Sequence, residues 1–134
     1  MIETFSKNVS VDSNTPIPLN SVALMKGTSV TKLGSSSLIF NKCGVYKLIA
    51  TASAAADTVG DISIQVYKDG VAQEQSTANA TATDTTSQHN MSICTFISVP
   101  KSVSNCPCSV PTRVDIYNTG TPATFDIDVV VSRV

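Results

Sequence analysis

Residues 61–72 read Asp61-Ile62-Ser63-Ile64-Gln65-Val66-Tyr67-Lys68-Asp69-Gly70-Val71-Ala72. Ile62, Ile64 and Val66 alternate with Ser63, Gln65 and Tyr67. A strand points successive side chains to opposite faces, so one set is buried while the other meets water. Asp69-Gly70 then supplies two residues that tolerate positive φ, as the tight two-residue hairpin requires. A half-buried strand, its turn and the start of its return partner are therefore legible in one short stretch.

The same period of two recurs outward from this hairpin. Met91, Ile93, Ile97 and Val99 share a face with Thr95 between them. Phe125, Ile127, Val129 and Val131 do the same, leaving Asp126 and Asp128 toward water. The Ala-rich run Ala50 to Ala56 reads as a strand, because Thr51, Ser53 and the preceding Val45-Tyr46 favour extended backbone. No window carries a helical stripe. Turns are marked at Asn41 to Gly44, Thr58 to Gly60 and Asn118 to Pro122, while Asn14 to Pro18 is extended or turning. The irregular stretch Pro100 to Pro111 is the longest. The expectation is an all-β sandwich or barrel of nine to ten antiparallel strands in a single domain, 1–134. Residues 72–90 leave two readings open. Alternation of Ala78, Ala80 and Ala82 with Asn79, Thr81 and Thr83 fits a shallow-faced strand able to line a subunit contact, and the polar composition fits a solvated loop.

Composition narrows the function. With 42% hydrophobic residues and a net charge of -1, the chain lacks the signature of disorder. The balanced charge gives no electrostatic footprint for nucleic acid or an anionic membrane, so neither is expected as a partner. Charged residues are only 14%, and polarity comes instead from 34 Ser and Thr. No signal-peptide pattern opens the sequence and no apolar run approaches the ~18 residues of a membrane helix. Synthesis and folding in a reducing cytoplasm are expected. On that reading Cys43, Cys94, Cys106 and Cys108 are free thiols. Cys106-Pro107-Cys108 offers two thiolates, yet the repeated Cys-x2-4-Cys spacing of structural zinc is absent, so no metal or cofactor is expected.

Residues 39–72 resemble the jelly-roll heads of the tumour necrosis factor and complement globular-head superfamily. The resemblance rests on Gly44 and Tyr46 as a Gly-x-Tyr strand, on Lys68-Asp69-Gly70 closing the next strand, and on a weak late echo in Thr124 to Ile127. Within that superfamily the chain looks most like the short, bare domains of bacteriophage head fibres and capsid decoration proteins. The resemblance implies a jelly-roll topology, a homotrimer and attachment to a virion, with a major capsid or other virion protein as partner. Residues 1–18 are then the N-terminal arm or first strand, and a candidate docking segment. The superfamily's aromatic trimer core is thin here, since Phe5, Phe40, Phe96, Phe125 and three tyrosines are all the sequence offers. A trimer would rest on aliphatic contacts and small-residue packing.

Catalytic sets are missing. His89 is the single histidine, and its separation of five from Cys94 puts the two on opposite faces of a regular strand. Asp57, Asp61, Asp69, Glu74 and Asp84 fall in loops, turns or a polar run, not in a paired-carboxylate arrangement. No phosphate loop, nucleophile elbow or His-Glu-x-x-His motif occurs. Asp126 and Asp128 share a strand face, but calcium wants about six to eight oxygens. An enzyme is not expected, and no catalytic, cofactor or metal residue is assigned. A virion structural protein leads. A module binding host-surface glycan is the alternative, weakened by the lack of Trp, with Tyr67 and Tyr117 as its outward aromatics. A bacterial surface or spore-coat jelly roll is a further alternative.

Overall fold

The computed structural model describes residues 1–100 and 111–134. Its strands are β1 (Ile2–Val11), β2 (Thr15–Pro16), β3 (Ser21–Met25), β4 (Val30–Leu33), β5 (Ser37–Phe40), β6 (Gly44–Ala56), β7 (Gly60–Lys68), β8 (Val71–Ala82), β9 (His89–Val99), β10 (Thr112–Asn118) and β11 (Ala123–Arg133). They form two antiparallel sheets in the orders β3-β1-β11-β6-β9 and β4-β5-β10-β7-β8, with β2 paired to β10. This is a jelly-roll sandwich. The described residues form eleven strand segments against the expected nine to ten, partly because two residues of the Pro-containing 14–18 stretch pair briefly with β10.

The quoted hairpin forms as read. Asp69 and Gly70 take φ of 51° and 81°, and Lys68 faces Val71 across the turn. Asp69 then ties the turn to the neighbouring strand, its Oδ1 accepting the Arg113 N–H at 2.8 Å. Residues 72–82 belong to β8, so the strand reading of the alanine segment holds, with Ala78 and Ala80 packed against the core. The connection to β9 is closed by Asp84. Its carboxylate accepts the N–H groups of Ser87 and Thr86, and those bonds hold it below the usual carboxylate range.

The Gly-x-Tyr element has a specific cause. Gly44 takes φ 142°, a conformation that side-chain-bearing residues rarely adopt, and it lies beside Arg133, whose guanidinium donates to the Cys43 carbonyl. Two residues on, Tyr46 is fully buried edge-on to Phe40 with centroids 4.7 Å apart, and its hydroxyl donates to the Lys42 carbonyl at 2.6 Å. The phenol thus fills the core without leaving its oxygen unpaired. Beyond it the inward side chains of β6 shrink to Leu48, Ala50, Ala52, Ala54 and Ala56, and Phe125 of β11 occupies the space beside Ala54. Few aromatics suffice because small residues lie next to large ones.

Residues 2–11 lie inside a sheet. β1 pairs with β3 on one side and β11 on the other, so this part of the N-terminal segment is a strand and not a free arm. A bulge between Ser6 and Val9 places Asn8 at φ 58°, and Asp126 Oδ1 accepts its N–H at 2.7 Å. The free-thiol expectation fails at Cys43, which is disulfide-bonded. Compartment-based reasoning addresses the redox surroundings of a chain and not which sulfurs its fold brings together. Cys94 is free and exposed. Cys106 and Cys108, with the zinc question they raise, lie outside the described residues.

Candidate interaction face

The outward face of the five-stranded sheet is set by register. One transverse row runs Leu24, Glu3, Val130, Ile49, Cys94 across β3, β1, β11, β6 and β9. The next row runs Ser21, Phe5, Asp128, Thr51, Ser92. On the other side of the apolar row, Lys47 faces Phe96. Phe96 is 62% exposed on an edge strand, with Leu24 at 40% and Ile49 at 37%. Interrupted by Glu3 between Leu24 and Val130, these side chains make an apolar strip with a phenyl group at its rim.

Beside the strip the face hollows into an open groove of about 590 Å³, lined among others by Phe5, Lys7, Thr51, Asn90, Asp126 and Asp128. Acidic groups dominate its charge. Glu3 and Asp128 are diagonal neighbours across β1 and β11, since Glu3 faces Val130 and Phe5 faces Asp128. Asp128 pushes the Glu3 carboxyl above the ordinary carboxylate range, first by hydrogen bonding to its protonated form and then by charge repulsion. Asp128 Oδ1 is buried without a hydrogen-bond partner. The pattern of alternation placed Asp128 toward water, but it could not reveal Glu3, because that contact depends on the β1–β11 register.

The other residues singled out from the sequence are dispersed. His89 faces Ala54 and Cys94 faces Ile49, on opposite sides of β9 as the spacing implied. Asp57 accepts hydroxyls of Ser10 and Thr124, and Asp61 that of Thr81, so both serve local structure. Among the described residues no three His, Cys, Asp or Glu side chains gather to hold a metal ion. Tyr67 and Tyr117 do point to the outer side of the six-stranded sheet, but they stack on each other at 4.0 Å and 20°. One ring face of each is thereby covered. Asp115 is buried beside them, accepting from Ser37 Oγ at 2.6 Å and from Arg113 Nε at 3.1 Å. Such a patch is a structural clamp between β5 and β10.

Solved structures align with this arrangement from end to end. The globular domain of the zebrafish complement 1qA protein matches at a TM-score of 0.69 and 10% identity, covering 99% of this chain and 97% of that one. The Eiger tumour necrosis factor of S. frugiperda matches at 0.70 and 12%, covering 100% and 92%. The fold is that of the tumour necrosis factor and complement globular heads. The PRD1 vertex protein P5 shares it at 0.60 and 16%, covering 99% and 95%. No protein-family model matches the sequence, and no curated protein matches it. At these identities the likeness speaks for fold, and function has to be argued from the surface.

Proposed function

We propose that this chain is a bacteriophage virion structural protein, a homotrimeric jelly roll that decorates a capsid or forms the head of a fibre. The observation that carries the reading is the strip Leu24, Val130, Ile49 and Cys94 with Phe96 at its rim. An apolar strip on one face and a projecting phenyl at the edge of the same sheet suit a head-to-tail contact, which closes into a ring when the rotation allows. The small-residue strand β8 runs beside β9 on the other sheet, so a neighbouring copy can approach this edge closely. The setting is suggested by the shared fold of the PRD1 phage vertex protein. Activity on this reading is binding: each subunit buries its strip against the next, and the assembled surface docks to a larger protein lattice. Mass spectrometry of density-banded particles tests it. The chain should be present in intact particles in a fixed ratio to the major capsid protein, and its absence from them would contradict the role.

A further inference from the structure

An orphaned oxygen lies beside the apolar strip. Asp128 Oδ1 is buried and finds no donor, although buried polar atoms are nearly always paired. Glu3, its diagonal neighbour, brings only acceptors when ionised. With a proton on Glu3 its O–H can donate to the Asp128 carboxylate. The alternatives nearby are limited. The groove that Glu3 and Asp128 line is also lined by Lys7 of β1 and Asp126 of β11, and the same sheet face carries Lys47 of β6 and Cys94 of β9, while β3 contributes Leu24 and Ser21. Asp126 is engaged by the Asn8 N–H, and the N-terminal amine donates to the Lys26 carbonyl. Among the described residues no ammonium group forms an ion pair with Glu3 or Asp128, and the one salt bridge there joins Arg113 to Asp115 on the opposite sheet.

We propose that self-association through this face takes up a proton at Glu3, beside the Asp128 carboxylate, so that assembly is tighter in mild acid than at neutral pH. The inference rests on the homotrimer reading, with a second copy of this chain as the covering partner. Burial of the strip withdraws the pair from water, and desolvation disfavours a doubly ionised state more than a singly ionised one. The assembled form therefore binds more protons than the free chain, and association weakens as pH rises. An uptake of one proton per subunit corresponds to about a tenfold change in the association constant per pH unit per subunit.

Sedimentation equilibrium of the intact chain at about pH 5 and about pH 8 tests this, within the span over which buried carboxyls titrate. Tighter assembly at the lower pH is expected, and Glu3→Gln should assemble at about pH 8 nearly as well as the parent does at about pH 5. Asp128→Asn provides the same readout from the other side of the pair. Assembly of equal strength at both pH values overturns the proton linkage while leaving the homotrimer intact. A monomer at both values overturns the linkage and the homotrimer together.

Discussion

Glu3 on β1 and Asp128 on β11 are diagonal neighbours across one strand pair, two carboxyls placed beside the apolar side chains of Leu24, Val130 and Ile49. Like charges in such a position oppose folding even in the isolated chain. Asp128 raises the affinity of Glu3 for its proton. The folded state therefore holds that proton at pH values where the unfolded chain has released it. Stability falls as pH rises from the ordinary glutamate range through Glu3's raised value. Glu3→Gln should flatten this decline and stabilise the chain at neutral pH. Thermal melts at low concentration on either side of that window measure it, and an unchanged pH profile would contradict the pairing.

Asn118 organises the β10–β11 turn from a fully buried position. Its Nδ2 donates to the carbonyls of Val11 and Thr121 at 3.1 and 3.0 Å, and its Oδ1 accepts the Gly120 N–H at 3.0 Å. Replacement by alanine removes the side-chain partner of the buried Val11 carbonyl and of the half-buried Thr121 carbonyl and Gly120 N–H. A loss of about 2–4 kcal/mol is expected in urea unfolding.

Gly120 and Gly70 predict different penalties for one added methyl. A Cβ on Gly120 would stand 2.3 Å from the Asp61 carbonyl oxygen and 2.6 Å from the Ser63 nitrogen, both backbone of β7. The strand itself must move, so Gly120→Ala should cost more than about 2 kcal/mol. Gly70 at φ 81° has nothing within 4 Å. Gly70→Ala should cost about 1 kcal/mol, through backbone conformation alone.

These contacts separate what alternation discloses from what it conceals. The Ile62, Ile64, Val66 strand and its Asp69-Gly70 turn were legible because both are local: side-chain period and positive φ concern residues adjacent in sequence. The inward face of β11 was legible for the same reason. By contrast, Gly44 beside Arg133, Glu3 beside Asp128 and Asn118 beneath Val11 join positions far apart in the chain, so they follow from topology. The apolar strip was hidden differently. Leu24, Ile49 and Phe96 each stand next to another apolar residue in sequence, Met25, Leu48 and Ile97, so nothing local marks them as an outward set, and only the register of β3, β1, β11, β6 and β9 aligns them. The disulfide at Cys43 was misread because composition reports on surroundings and not on sulfur-to-sulfur geometry.

Phe96 separates folding from assembly. Its ring is largely exposed on β9, so Phe96→Glu should change the stability of the isolated chain by no more than about 0.5 kcal/mol. The same charge at the rim of the strip should abolish self-association. Urea unfolding and sedimentation on one preparation test both halves. A variant that folds normally and assembles normally would remove Phe96 from the interface.

The central claim, that the five-stranded sheet is a face between copies, is tested most directly by the solution mass. Light scattering of the full chain at two dilutions, in mild acid, should return three times the chain mass. A mass equal to one chain at both dilutions would contradict the account.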